Sequence, residues 1–167
     1  VIEPFAEFFT RNGLKGTMVI LAFVLLYKYG DAVAGAMANP FYHQIGFSGV
    51  EIAGVTKALG VAATLVGVFT GGALVAKSGV LTALLVGGVL QALTNLIFAW
   101  LATVGADISV LAIAVGADSF TGGLGSAAFV AYLSGLCNVA FTGTQFALLT
   151  SLMALGRTVL AASSGFI

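Results

Sequence analysis

Charge is what this sequence has least of: Asp, Glu, Lys and Arg make up 7% of its 167 residues, against roughly a quarter in soluble domains. No water-facing surface of any size can be built from so few. Six basic residues balance six acidic ones and no Lys/Arg-rich run exists, which excludes the basic footprint that phosphate neutralisation requires, and with it nucleic acid as a partner. The single cysteine, Cys137, cannot close an intrachain disulfide and has no Cys or His nearby with which to share a metal. Redox compartment therefore stays open. Residue 1 is valine, and Val1 to Lys15 lack the basic start, apolar centre and small-residue cleavage site of a secretory signal. The chain reads as cut from something longer.

What fills the sequence instead is apolar residues, at 60% with a mean hydropathy of +1.14. They fall into long runs, predicting an all-α, polytopic transmembrane bundle with about five spans. Residues 1–16 mix Pro4, Phe5, Phe8 and Phe9 with Glu7, Arg11 and Lys15, the pattern of an amphipathic linker lying at the membrane interface. The bundle follows over 17–167. Its spans are expected at 17–39, closed by Pro40, then at 50–74, 81–103, 108–136 and 141–165. The loop from Val75 to Val80 is short enough to make the second and third spans antiparallel neighbours. Arg11, Lys15 and Lys77 lie on one side of this arrangement and no loop Lys or Arg on the other, which predicts a cytoplasmic amino-terminal side.

Lys28, Asp31, Lys57, Asp118 and Arg157 all stand inside predicted spans, where an ionisable residue costs about 2.5 to 3.5 kcal/mol on insertion scales. Lys28 and Asp31 share a helical face and can pair. At about 1.5 Å per residue, Asp31 and Arg157 lie about 12 Å, Lys57 about 10 Å and Asp118 about 15 Å from the outer ends of their spans. Such a charged layer marks the depth at which alternating-access carriers hold substrate and coupling ions. Two simpler roles fit the same residues, pairing that fastens helices together and snorkelling of Lys28 or Arg157 to an interface. Gln91, Thr94 and Asn95 give the third span a polar stripe, which serves interhelical hydrogen bonding as readily as a substrate path. Among the 23 glycines, Gly67 with Gly71 and Gly122 with Ser126 have the spacing that lets helices approach closely. His43 reads as a solvated loop side chain. Cys137 reads as a small buried or interfacial residue, since no base accompanies it.

The segment Gly72-Ala73-Leu74-Val75-Ala76-Lys77-Ser78-Gly79 resembles the cytoplasmic loop signature of the major facilitator superfamily, with Gly72, Lys77 and Gly79 in the gating loop and Ala76 where an acidic residue ordinarily stands. More specific stretches resemble the AmpG muropeptide permeases. They are Leu26-Tyr27-Lys28-Tyr29-Gly30-Asp31-Ala32, Lys57-Ala58-Leu59-Gly60, Gly71-Gly72, the run from Gly122 to Ala131, Leu136-Cys137-Asn138, Thr144-Gln145-Phe146-Ala147-Leu148-Leu149 and Gly156-Arg157. Val139 replaces a basic residue common in that family.

The resemblance implies the carboxy-terminal half of a proton-coupled importer in the inner membrane of Gram-negative bacteria. Its substrates would be N-acetylglucosaminyl-anhydromuramyl peptides, carried from periplasm to cytoplasm in peptidoglycan recycling and feeding β-lactamase induction and antibiotic resistance. Protons, membrane lipid and an amino-terminal bundle of the same protein would be its partners, with neither cofactor nor metal. Asp31, Asp118, Lys28, Lys57, Arg157, Gln91, Asn95 and Gln145 are the residues expected along the proton and substrate path. Arg157 either clamps a substrate carboxylate or acts as a structural counter-ion. An intramembrane enzyme would need clustered carboxylates or a nucleophile with its base, and the intramembrane acids occur singly. A facilitator for another solute, such as an acetyl-CoA-type carrier, and a non-transporting membrane sensor remain as rivals.

Overall fold

The computed structural model describes residues 3–137 and 142–163. Those residues are almost entirely helical: α1 (Glu3–Ile45), α2 (Gly49–Val55), a π-helical turn at Thr56–Gly60, α3 (Val61–Ser78), α4 (Val80–Val104), α5 (Ile108–Leu136) and α6 (Thr142–Ser163). The chain is an all-α helical transmembrane bundle. Gly49–Ser78, Val80–Val104 and Ile108–Leu136 are long and apolar enough to cross a membrane, and shorter apolar stretches run over Gly13–Tyr27 and Gly143–Leu155. Asn138 and Val139 lie outside the described residues.

Three expectations about helix ends need correction. Pro40 does not close the first helix, which continues through it to Ile45. Proline forfeits one backbone hydrogen bond, a loss that membrane helices accommodate through neighbouring groups. The helix stops instead in a Schellman motif, where the Gly46 N–H donates to the His43 carbonyl and the Phe47 N–H to the Tyr42 carbonyl, both at 3.1 Å, with Phe47 buried beneath. His43 accordingly sits in a last helical turn and not in a loop. The loop expected at Val75 to Val80 shrinks to one residue, because α3 persists to Ser78 and Gly79 alone leaves helical geometry at φ 84°. A side chain there would be strained, so glycine suits the hinge.

Gly13, at φ 66° and ψ 160°, likewise interrupts α1, setting Glu3 to Asn12 apart from the apolar stretch that follows. Glu51, which reads from sequence as a charge at the mouth of a span, completes a capping box. Its backbone N–H donates to Ser48 Oγ at 3.3 Å, and its carboxylate accepts from the Ser48 N–H at 2.9 Å. Asp107 caps α5, its carboxylate accepting from the Ser109 N–H at 2.8 Å.

Two compact units result, one of residues 1–38 with 133–167 and the other of residues 39–132. In the first, Thr17, Val24, Leu133, Gln145 and Leu149 are buried. The second is built on Ala83, Leu84, Leu101, Leu111, Ala114, Leu124 and Phe129, while Leu65, Phe69, Leu85, Leu96 and Trp100 are exposed. Large apolar side chains on the outside are what a lipid solvent permits.

Within the second unit α3 meets α5 backbone to backbone. A Cβ built on Gly67 would collide with the Phe120 carbonyl, one on Gly71 would come within 2.6 Å of the Leu124 carbonyl oxygen, and one on Gly123 would strike the Thr64 carbonyl. Close helix approach in a membrane depends on such residues. Gly122, expected from its spacing to Ser126 to be a contact residue, has open space around its Cα; its neighbour Gly123 makes the approach. One residue along a helix is a rotation of about 100°, enough to exchange the face that meets a neighbour.

Candidate functional site

Three polar side chains of the second unit, Gln91, Asp118 and Thr121, meet between α4 and α5. Asp118 stands about 15 Å along α5 from its start, near mid-helix, and Thr121 follows one turn later on the same face. Gln91 holds the middle of α4. Its Nε2 donates to Asp118 Oδ1 at 2.8 Å, and its Oε1 accepts from the Thr121 hydroxyl at 2.8 Å. Gln91 and Asp118 are half-buried and Thr121 is 4% exposed. Thr94 is buried as well, but its hydroxyl turns back to the Gln91 main-chain carbonyl at 2.8 Å and leaves the amide to Asp118.

Next to this cluster is Tyr42, in the segment between the first two predicted spans. Its ring is buried and tilts against Phe98 at 6.3 Å. Burial, and after it the nearby Asp118 carboxylate, push its phenol up to about 12.

A carboxylate held by a carboxamide in an apolar setting can do two things. It can stay charged while the amide donates to it, or take a proton and become a hydrogen-bond donor itself. Neither state needs a metal or a nucleophile, and both suit a proton relay or a recognition point for a polar substrate.

Three curated relatives bear on what such a bundle belongs to. The chain is 40% identical over 151 residues to AmpG 4 of Rickettsia felis, covering 90% of this chain and 36% of that protein. It is 38% identical over 167 residues to the anhydromuropeptide permease of Escherichia coli K12, covering 99% and 33%. It is 33% identical over 162 residues to AmpG 1 of Rickettsia prowazekii, covering 95% and 37%. The chain belongs to the AmpG transporter family. It spans about a third of the length of the curated AmpG relatives it matches. No family model matches it.

Against that AmpG background the remaining expected path residues separate into groups. Asn95, predicted on one stripe with Gln91 and Thr94, is exposed, so the stripe divides between an inward pair and an outward amide. Lys57 is exposed in the π-helical turn and lines an open groove with Gly49, Val50, Ala53, Gly54 and Ala58. Turns of this kind occur often at functional positions.

Gln145 belongs to the first unit. It is 2% exposed, and its Nε2 donates to Glu7 Oε2 at 2.7 Å. Gly72 and Lys77 are exposed near the end of α3, where Lys77 complements the carboxy-terminal end of the helix dipole, and Gly79 is the hinge already described. Lys28, Asp31 and Arg157 fall in helical segments, but their side chains lie outside the described residues. The Cys137 thiol is half-buried and donates to the Leu133 carbonyl at 3.2 Å.

Thr121, Tyr42 and Glu7 are the residues that sequence reasoning passed over. Thr121 had a usable signal, its i+3 spacing from Asp118, which puts a hydroxyl beside any intramembrane carboxylate. Glu7 was counted with the interfacial linker and had no such mark.

Proposed function

We propose that this chain forms part of a proton-coupled importer of N-acetylglucosaminyl-anhydromuramyl peptides, a multi-pass protein of the bacterial inner membrane that moves them from periplasm to cytoplasm. The observation that carries the reading is the Asp118–Gln91–Thr121 cluster, a carboxylate with an amide partner placed on two helices apolar and long enough to span a bilayer. That the Escherichia coli relative is an anhydromuropeptide permease supports the substrate class. In this reading Asp118 takes a proton from the outer side and hands it inward, and the change of its charge biases which face of the carrier is open. Asp31 is the second carboxylate of the relay, with Lys28 or Lys57 as its cationic partner. Arg157 meets the peptide carboxylate of the substrate, for which its planar fork is suited, or balances charge within the bundle. Gln145 and Asn95 add polar groups along the path.

Residues 1–16 lead into a bundle over 17–167, and the stretch Gly72 to Gly79 acts as the gating hinge. The relatives are about three times as long as the matched region, and the rest of that length supplies the opposing wall of the path. Lipid surrounds the assembly. Physiologically the imported product feeds peptidoglycan recycling and, through it, β-lactamase induction.

The test is uptake of labelled anhydromuropeptide into inverted or right-side-out vesicles carrying the protein expressed from its complete reading frame. Uptake that a protonophore abolishes, and that unlabelled muropeptide but not an acyl-CoA competes away, is the expected result. Robust folding with no muropeptide uptake overturns the substrate assignment. Uptake indifferent to the protonophore overturns the coupling.

A further inference from the structure

We infer that Thr121 is a positioning residue for proton coupling: its buried hydroxyl selects which end of the Gln91 carboxamide meets Asp118, and the amide turns over when Asp118 changes protonation state. The inference rests on the reading of Asp118 as the coupling carboxylate and gives Thr121 and Gln91 distinct roles beside it.

The geometry is restrictive. A glutamine side chain ends in a carbonyl and an NH₂ of nearly equal size, so shape alone does not fix which way round it lies. Here the partners do. Thr121 has one hydroxyl proton and three acceptors within reach, Gln91 Oε1 at 2.8 Å, the Ala117 carbonyl at 3.0 Å and the Asp118 carbonyl at 3.1 Å. While that proton goes to Gln91 Oε1, the NH₂ end is committed to the Asp118 carboxylate, a charge-assisted bond stronger than a neutral one. When Asp118 is protonated it carries an O–H that needs an acceptor. Rotation of the amide by half a turn supplies Oε1, and the Thr121 proton swings to the Ala117 carbonyl one helical turn back.

Both arrangements keep these groups hydrogen-bonded, which makes the trio a two-state element and not a static fastening. Thr94 does not compete, since its hydroxyl is bonded to the Gln91 main-chain carbonyl. Tyr42 interacts electrostatically with Asp118, and its phenol stays neutral over the working pH range.

The deciding experiment compares gradient-driven accumulation with substrate counterflow at equal pH on both sides, using the full-length protein. Thr121→Val keeps the shape and deletes the proton. It is expected to lower accumulation at least tenfold while leaving counterflow within about twofold of the parent, because exchange moves substrate without net proton transfer, and Thr121→Ser is expected to restore accumulation. Thr121→Val that accumulates normally, or that loses counterflow in step with accumulation, overturns the inference.

A second measurement does not depend on transport. In detergent, the falls in unfolding midpoint caused by Thr121→Val and by Gln91→Met are expected to be clearly non-additive in the double variant, since one acts through the other. Additive shifts overturn the inference even if the parent shows no muropeptide uptake. A parent without protonophore-sensitive uptake, in contrast, sinks the functional reading itself.

Discussion

Each compact unit of this chain contains a carboxylate gripped by a glutamine amide, but the two pairs are made differently. In the unit of residues 39–132, Gln91 and Asp118 come from consecutive helices, 27 residues apart, and Thr121 fixes the amide from one turn away. In the other unit Glu7 and Gln145 are 138 residues apart and tie the segment ahead of Gly13 to the first turns of α6. The first pair sits midway along two bilayer-length helices, where an uncompensated charge is most costly. The second joins the beginning of the described chain to its end. A polar bond between apolar spans can serve chemistry, whereas one that closes a chain-long loop serves attachment, and variants should tell the two apart.

The largest effect is expected from neither pair but from the glycine contact that holds α3 against α5. Gly67→Ala forces a Cβ into the Phe120 carbonyl, and because backbone cannot give way as a side chain can, the loss is expected to be about 3 kcal/mol or more. Gly122→Ala, one helix face away with open space at its Cα, is the control and should change the unfolding midpoint in detergent by little.

Next in size come the pairs themselves. Gln145→Leu removes the interhelical bond to Glu7, and Gln91→Leu removes two, to Asp118 and from Thr121, each bond contributing about 0.6 to 1.7 kcal/mol. Their effects on transport should diverge. Gln91→Leu is expected to uncouple accumulation from the proton gradient, and Gln145→Leu to lower the amount of folded protein in the membrane while leaving activity per molecule nearly intact. Equal losses of activity per molecule would erase the distinction between the pairs.

The smallest effect belongs to Tyr42. Its phenol ionises near 12 in the fold and near 10 in an unfolded chain. A raised value means that the contribution of Tyr42 to stability is complete below pH 10 and is lost as pH rises from 10 to 12. Tyr42→Phe, which cannot ionise, should flatten that alkaline decline, measured by unfolding midpoints across the same range.

Much of the fold was legible because a bilayer imposes a simple rule, and runs of apolar residues long enough to span it are hard to mistake. The ends were less legible. Pro40 reads as a stop under the rules for water-exposed helices, yet the chain continues helically to Ile45. Ser48-Gly49-Val50-Glu51 is a recognisable capping box, and attending to Glu51 as a charge hid its structural role. The choice of Gly123 over Gly122 depends on helix rotation, which spacing within one helix does not contain.

The site divides in the same way. Asp118 and Gln91 were each visible as polar residues in apolar runs. Their mutual bond was not, because it requires the relative rotation of α4 and α5, and Thr121 becomes noticeable only when that rotation is known. The linker reading of residues 1–16 put Glu7 at the membrane interface, while the structure gives it a buried amide as partner.

The most direct test is to record proton movement itself, by adding anhydromuropeptide to lightly buffered cells or vesicles carrying the full-length protein or its Asp118→Asn variant and following external pH. Alkalinisation on substrate addition by the parent, absent from an Asp118→Asn protein that still binds and exchanges muropeptide, is the predicted result. Alkalinisation of the same size in the variant would show that the proton travels by another carboxylate and would contradict the role given to Asp118.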